Sequence, residues 1–314
     1  MIETHDLRKT FKSRKGAVEA VAGVDLDVKK GEIFGFLGPN GAGKTTTLRM
    51  LSTLLPPTSG QATVAGFDLL HDSAKVRYEI GYVSQEGSSA PEIPGRTELV
   101  MQGRLYGMTK ARAEQRAAEL IAALELADCA DRPTRTFSGG QKRRLDIGIG
   151  LMHLPQLLFL DEPTTGLDPQ SRARMWDEVR KLRDIGTTVF LTTHYLEEAD
   201  ALCDRIAIID HGKIVALGTP DALKRQVAGD VVVVGTDNAS DRVLQLLRGE
   251  SFVREATAGD GVVRLYVDRG ETAMPQIIRA LDAEGIVLSS LSLNRPSLDD
   301  VFLHQTGRSL RDAA

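Results

Sequence analysis

Ile33-Phe34-Gly35-Phe36-Leu37-Gly38-Pro39-Asn40-Gly41-Ala42-Gly43-Lys44-Thr45-Thr46 reads as an apolar strand that runs into a glycine-rich turn and then into a helical stretch, Thr46 to Leu55. Residues 38–45 match G-x-x-x-x-G-K-[ST] in the strand-then-helix setting that this pattern requires. Glycines let the backbone curl so that several N–H groups face one anion, and the following helix N-terminus adds its partial positive charge. The stretch is therefore a phosphate cradle. Lys44 is placed to neutralise β- and γ-phosphate oxygens, and the Thr45 hydroxyl to hold Mg²⁺. A plain glycine-rich turn would not need all four defining positions together with both flanks.

Such a loop needs a carboxylate for its metal, and Leu157-Leu158-Phe159-Leu160-Asp161-Glu162 supplies one at the end of an apolar strand. Alone, an Asp-Glu pair after a strand is often a solvated turn. Beside the phosphate loop, Asp161 is the Mg²⁺ candidate and Glu162 the base that would polarise an attacking water. Ser138-Gly139-Gly140-Gln141 has the form of a capping box, serine with glutamine three residues on, at the start of a helical run. A cap does not require two consecutive glycines, which favour a close backbone approach to a second phosphate.

Around these motifs the chain alternates short apolar runs with helical segments, which implies an α/β domain on a largely parallel sheet. Strands are expected at Ile33–Leu37, Ile80–Ser84, Leu157–Leu160, Thr188–Thr192 and Arg205–Ile209, and a helical insertion from Thr97 to Ala130, where Ala, Arg, Glu and Leu dominate. After Gly218-Thr219-Pro220 the order becomes β-α-β-β-α-β, over Val231–Val234, Ser240–Leu247, Phe252–Ala256, Val262–Val267, Thr272–Glu284 and Val287–Leu293. Gly259-Asp260-Gly261 is a hairpin turn in that scheme, and the order suggests a small ferredoxin-like domain.

The 314 residues suffice for two such domains, and a mean hydropathy of -0.15 with 26% charged residues is that of a water-soluble chain. The apolar run Ile147–Leu160 is interrupted by His153 and Gln156, short of the roughly 18 apolar residues of a spanning helix. Glu3 and Asp6 stand where an export signal would be basic and then apolar. Cys129 and Cys203 have neither metal-ligand nor secreted-disulfide spacing and read as thiols in a reducing cytosol. A net charge of -4 offers no field to recruit nucleic acid, and Lys142-Arg143-Arg144 is too short to reverse that.

Phe137-Ser138-Gly139-Gly140-Gln141 resembles the Leu-Ser-Gly-Gly-Gln signature of ABC ATPases, with phenylalanine in place of leucine, and the resemblance runs in family order over about the first 220 residues. It implies a P-loop NTPase fold of the ABC type: a parallel-sheet core, an antiparallel β subdomain and an inserted helical subdomain at about 95–150, the whole over 1–222. It also implies roles for isolated residues. Gln85, after Ile80-Gly81-Tyr82-Val83-Ser84, resembles the glutamine that touches metal or water and couples the site to a membrane subunit. Asp168 in Gly166-Leu167-Asp168 resembles the loop that crosses to the opposite subunit, and His194 after Val189-Phe190-Leu191-Thr192-Thr193 the histidine that meets the γ-phosphate. Phe11 sits where the family places an aromatic on adenine, although an aromatic near a first strand is often core packing.

The resemblance further implies an ATP-dependent, Mg²⁺-dependent homodimer in which each ATP lies between one phosphate loop, including Gly38 to Thr46, and the other copy's Ser138 to Gln141. Two such chains would drive a separately encoded transmembrane permease, on the cytoplasmic face of the cell membrane. A single set of motifs argues against the two-cassette translation-factor relatives. The absence of a long heptad run or Cys cluster between Lys44 and Ser138 argues against DNA-repair relatives. Thr193-His194-Tyr195-Leu196-Glu197-Glu198-Ala199-Asp200 and Gly95-Arg96-Thr97-Glu98-Leu99 resemble the daunorubicin/doxorubicin type of drug-export ATPase. So does the tail, Pro296-Ser297-Leu298-Asp299-Asp300-Val301-Phe302-Leu303 with Thr306-Gly307-Arg308, which that subfamily associates with permease assembly. The small domain would then cover 230–294 and the assembly segment 295–314. The tail's other reading is a short helix capped by Ser297 that packs Val301 and Phe302 on its own domain. Another cargo, such as a lipid or polysaccharide, import, or a soluble non-transport ABC ATPase, are the alternatives.

Overall fold

The computed structural model describes residues 1–13, 16–227, 229–236, 240–259, 262–294 and 297–306. Two compact units divide the chain, Met1–Gly218 and a second that begins at Thr219.

In the first unit β1 (Ile2–Ser13) and β2 (Gly16–Val28) form a long antiparallel ribbon, followed by β3 (Ile33–Leu37) and α1 (Lys44–Leu51). Next come β4 (Ser59–Val64), β5 (Phe67–Asp68), α2 (Ser73–Glu79) and β6 (Ile80–Val83). The insertion holds α3 (Gly95–Leu105) and α4 (Lys110–Ala123), and α5 (Gly139–Leu151) returns the chain to the sheet. The unit closes with β7 (Leu157–Asp161), α6 (Pro169–Asp184), β8 (Thr188–Thr193), α7 (Leu196–Leu202), β9 (Arg205–Asp210) and β10 (Lys213–Gly218).

Six strands make the central sheet in the order β10-β9-β3-β8-β7-β6, parallel except for β10. A second, antiparallel sheet has the order β2-β1-β4-β5. Every residue of β3, β7 and β8 is buried, which is why β3 and β7 read as near-continuous apolar runs and β8 as an apolar centre flanked by threonines, none of them alternating. Phe190 anchors that core, its ring 5.6 Å from those of Phe34, Phe36 and Phe159.

The five expected strands are all present, with one trimmed end. Ser84 lies just past β6 because its carbonyl accepts from the Arg143 guanidinium and not from a neighbouring strand. The first helix stops at Leu51 and not Leu55, since Thr53 takes a left-handed φ of 65° and Pro56-Pro57 follow. The helical insertion is two helices, split where Gly107 turns at φ 81° and Thr109 caps α4 by accepting from the Arg112 N–H. The β1–β2 ribbon had no strand pattern legible in the sequence, because its residues alternate irregularly across three register shifts.

The second unit opens with α8 (Pro220–Val227). It continues as β11 (Asp230–Thr236), α9 (Ser240–Leu247), β12 (Val253–Gly259), β13 (Val262–Val267), α10 (Gly270–Ala283) and β14 (Leu288–Asn294). The strands pair antiparallel in the order β12-β13-β11-β14, the ferredoxin-like arrangement. One sheet face packs Val232, Val234, Val263, Leu265 and Val267 against Val243, Leu247, Ile277 and Leu281 of the two helices. Gly259 stands opposite Val262; Asp260 and Gly261 of the expected turn lie outside the described residues.

α11 (Leu298–Thr306) follows. Ser297 accepts from the Asp300 N–H at 3.3 Å, and the Asp300 carboxylate takes the Ser297 N–H at 2.7 Å. Leu298, Val301 and Phe302 are buried, and α11 packs with α8, whose Leu223 is also buried. Pro296, Gly307 and Arg308 lie outside the described residues. Among the described residues no helix is long and apolar enough to cross a membrane.

Candidate nucleotide site

Parallel strands deliver their C-terminal ends to one edge of the sheet, the place where open α/β sheets bind ligands. Register fixes the neighbours: Leu37 of β3 pairs with Thr193 of β8, Asp161 of β7 with Thr192, and Val83 of β6 with Leu160. The loops after these ends carry Gly38 to Gly43, Gln85, Glu162 and His194.

The phosphate loop is held from outside its own helix. Gly43, the N-cap of α1, sits at φ 104°, and a Cβ there would lie 2.4 Å from the Ala20 carbonyl oxygen of β2. Gly212 N donates to the Ala42 carbonyl at 2.9 Å, and its own carbonyl accepts from Ala22 N at 2.8 Å. The first-turn N–H groups of an α-helix have no intrahelical acceptors, and the first turn of α1 carries no acidic side chain to occupy them. Pro39 and Ala42 are buried, Asn40 and Gly41 exposed, and Thr45 and Thr46 half-buried.

Lys44 is 4% exposed, and its Nζ donates to the Gly38 and Pro39 carbonyls at 2.7 and 3.0 Å. Burial pushes its pKa below the usual lysine value, and the nearby Glu162 charge, 3.4 Å away, opposes that shift. Thr45 Oγ1 donates to Asp161 Oδ1 at 3.1 Å, and Thr192 Oγ1 donates to the same oxygen at 2.6 Å. A hydroxyl and a carboxylate oxygen converging beside a phosphate cradle are a hard-oxygen donor set that fits Mg²⁺.

Glu162 is the hub. Its backbone takes a left-handed φ of 46°, unusual outside glycine, and its N–H is shared between the Thr192 carbonyl (3.2 Å) and hydroxyl (3.0 Å). Glu162 Oε2 accepts from Gln85 Nε2 at 3.1 Å and Thr165 Oγ1 at 3.2 Å. His194 Nδ1 also lies 3.2 Å from that oxygen, off hydrogen-bond alignment. Burial raises the carboxyl's pKa, yet His194, Lys44 and Thr165 outweigh it and hold Glu162 below the ordinary carboxylate range. Lys44, Thr45, Gln85, Asp161, Glu162 and His194 thus form one connected network.

Ser138 to Gln141 and Asp168 make a second, more exposed cluster. The capping box forms: Ser138 Oγ accepts from Gln141 N at 3.3 Å, and Gln141 Oε1 from Ser138 N at 2.9 Å. A Cβ on Gly139 would reach Leu167 at 3.7 Å and one on Gly140 would reach Ser171 Oγ at 3.4 Å, contacts this chain could tolerate. Both glycines therefore cost helix stability with no return inside the chain, which leaves the approach of an outside group as their use. Phe137 packs at the start of α3, where its ring would meet a Cβ on Gly95 at 3.2 Å. Asp168 caps α6 by accepting from Ser171 N at 2.9 Å, and the Ser171 hydrogen bonds hold its carboxyl below the usual range.

Phe11 stands apart from both clusters, on β1 opposite Val18, 42% exposed with Lys9 Nζ 5.4 Å above its ring. Core packing is excluded for it. β2 brings it toward the phosphate loop, since Ala20 is two residues beyond Val18 and touches Gly43.

Three participants were not singled out in the sequence. Thr192 bridges Asp161 and Glu162, and only its place at the end of a strand could have marked it. Arg143, read as part of a short basic run, is buried and donates to three backbone carbonyls of the site loops. Asp146 is 2% exposed and accepts from the N–H groups of Ser88 and Ser89. For Asp146 the available signal was a carboxylate set inside the otherwise apolar stretch Leu145 to Leu151.

Known proteins resemble this chain over most of its length. Residues 21–165 match the ABC transporter family model, and residues 218–306 match the model of the ATP-binding protein DrrA1-3-like, C-terminal domain. The chain is 44% identical to the daunorubicin resistance ATP-binding protein DrrA3 of Streptomyces coeruleorubidus, over 96% of each chain. It is 39% identical to the linearmycin resistance ATP-binding protein LnrL of Bacillus subtilis, over 99% of this chain and 100% of that one. Among solved structures, the dimeric post-hydrolysis state of the ATP-binding cassette MJ0796 bound to ADP and Pi superposes with a TM-score of 0.64 at 27% identity. It covers 70% of this chain and 98% of that one. The chain therefore belongs to the family of ABC transporter ATP-binding proteins, in the branch that carries the DrrA-like C-terminal domain.

Proposed function

We propose that the chain is the ATP-hydrolysing motor of an ABC exporter of drugs or antibiotics, an ABC-type xenobiotic translocase working at the cytoplasmic face of the cell membrane. The observation that carries this reading is the single network in which Glu162 meets Lys44, Gln85, Thr165 and His194 beside the Thr45–Asp161 pair. The resistance relatives support the cargo class.

The phosphate loop would hold ATP by its N–H groups and Lys44, and Phe11 would stack on the base. Mg²⁺, which Thr45, Gln85 and Asp161 would hold, would spread the charge of the β- and γ-phosphates. Lys44 then has phosphate oxygens to neutralise, which releases Glu162 from its 3.4 Å contact to face a water. Glu162, still beside His194 and Thr165, would orient that water and accept its proton; Gln85 would hold the Glu162 oxygen and His194 would meet the γ-phosphate. Ser138 to Gln141 and Asp168, exposed and unused by their own site, would close on the ATP of a second copy, so that two chains share two ATPs and drive two permease chains.

The test is ATP hydrolysis by the purified chain, with and without membranes containing a candidate permease. Activity stimulated by those membranes is expected; hydrolysis indifferent to them would move the chain to the soluble ABC ATPases.

A further inference from the structure

We infer that Arg143 and Asp146 on α5 clamp the loop that carries Gln85, and so couple the signature segment at the head of the same helix to the hydrolytic residues of its own chain. The coupling between two nucleotides rests on the head-to-tail pair proposed above; the clamp itself rests on geometry. Ser138 to Gln141 begin α5, and one turn later the buried Arg143 points into the site. Its Nη1 donates to the Ser84 carbonyl at 2.6 Å, Nη2 to the Asp161 carbonyl at 2.9 Å and Nε to the Pro163 carbonyl at 2.8 Å. Those carbonyls flank Gln85, belong to the metal candidate itself and come just after Glu162.

Three residues on, Asp146 Oδ1 accepts from Ser88 N at 2.9 Å, Ser89 N at 3.1 Å and Ser88 Oγ at 3.3 Å. The loop lies flat on this carboxylate, since a Cβ on Gly87 would be 2.6 Å from Asp146 Oδ2. One helix face thus grips the loop on both sides of Gln85, whose amide donates to Glu162 Oε2 at 3.1 Å. The three guanidinium bonds go to neutral carbonyls, so the burial that pushes the Arg143 pKa down is only partly offset, by the charges of Asp146 and Asp161 at a distance. A fold that needed packing alone at this position would use an apolar side chain. A planar fork with fixed donor directions instead makes α5, Ser84 and the Asp161–Pro163 turn move as one body.

When a nucleotide of the second copy docks on Ser138 to Gly140, the displacement of α5 reaches Gln85 and Glu162 through these bonds. Engagement of one ATP then sets the catalytic geometry at the other. Arg143 and Asp146 are positioning residues, since neither touches the nucleotide.

The experiment compares the full chain with Arg143→Lys, Asp146→Ala and Asp146→Asn, reading hydrolysis rate against ATP concentration and binding of a fluorescent ATP analogue to the nucleotide-free chain. Lysine keeps the charge but cannot serve three carbonyls; asparagine keeps the Oδ1 acceptor that alanine lacks. Arg143→Lys and Asp146→Ala are expected to bind the analogue within about twofold of the parent, to lose about tenfold or more in kcat, and to drop a Hill coefficient above one to one. Asp146→Asn is expected to restore both. Unchanged kcat and Hill coefficient in the lysine and alanine variants overturn the clamp, as does a kcat loss matched by equal losses in binding and melting temperature. If Arg143→Lys fails to fold, the alanine and asparagine pair decides alone. A non-cooperative parent whose Glu162→Gln variant forms no ATP-driven dimer removes the head-to-tail reading, and the inter-nucleotide coupling with it. A cooperative parent with an equally cooperative Asp146→Ala overturns the clamp by itself.

Discussion

Gly41 and Gly43 occupy the same loop with left-handed φ values of 79° and 104°, but a Cβ at Gly41 meets nothing within 4 Å while one at Gly43 lies 2.4 Å from the Ala20 carbonyl oxygen. Replacing each by alanine separates backbone strain from collision. The left-handed conformation costs an L-residue about 1–2 kcal/mol, and the stiffer unfolded chain returns about 0.4–1 kcal/mol. Gly41→Ala should therefore destabilise by roughly 0.5–1 kcal/mol. At Gly43 the new carbon must also retreat by about 0.9 Å to reach a close C–H···O distance of about 3.3 Å. Overpacking of that size adds about 1–3 kcal/mol, for a total of roughly 2–4. Urea titration followed by tryptophan fluorescence reads this cleanly, because the chain's one tryptophan, Trp176, lies on α6 of the first unit. With a slope of about 3 kcal/mol/M, the midpoint should fall by about 1 M for Gly43→Ala and about 0.3 M for Gly41→Ala. Equal shifts, or a silent Gly43→Ala, would refute the idea that β2 braces the phosphate loop.

Single contacts elsewhere set further expectations. Glu198 is fully buried, accepts from Thr164 and Trp176 on Oε1, and leaves Oε2 without a partner; burial raises its pKa against the pull of those donors. An acid with a raised folded pKa favours the fold most below its unfolded value, about 4.3, and loses that contribution as pH rises through the folded one. Glu198→Gln should therefore gain stability relative to the parent between pH 5 and pH 8, measured by the Trp176 melting profile; parallel profiles would contradict this. Phe11→Ala should weaken ATP binding by about 1–2 kcal/mol, roughly tenfold, in equilibrium titration; unchanged affinity removes the stacking role. Truncation after Leu293 strips α8 of its packing against α11. ATP binding should survive it while copurification with the permease is lost, and retained copurification limits α11 to packing.

Much of the site was legible because its residues must stand at strand ends in a fixed chemical order. Strands buried on both faces do not alternate, so the apolar runs of β3 and β7, the Val189-Phe190-Leu191 centre of β8 and the polar residues after them announced themselves. The small second unit was legible for a related reason: the alternation in β13, with Val263, Leu265 and Val267 inward, is a one-sided sheet. The hidden features depend on partners distant in sequence. Ala20 and Gly212 brace the phosphate loop through backbone groups, which no side-chain pattern encodes. Arg143 looked like solvated charge because only the fold brings Ser84, Asp161 and Pro163 around it. The pairing of α11 with α8 joins segments on either side of the small sheet, and the tail's sequence supported a capped helix without naming its packing partner.

The central claim is a composite ATP site in which Glu162 performs the hydrolytic step. It is tested most directly by measuring ATP hydrolysis and light scattering on the parent and on Glu162→Gln with Mg²⁺. The parent should turn over, and the variant should not, forming instead a stable dimer with ATP. A variant that hydrolyses at the parental rate, or that stays monomeric with ATP, would contradict the claim.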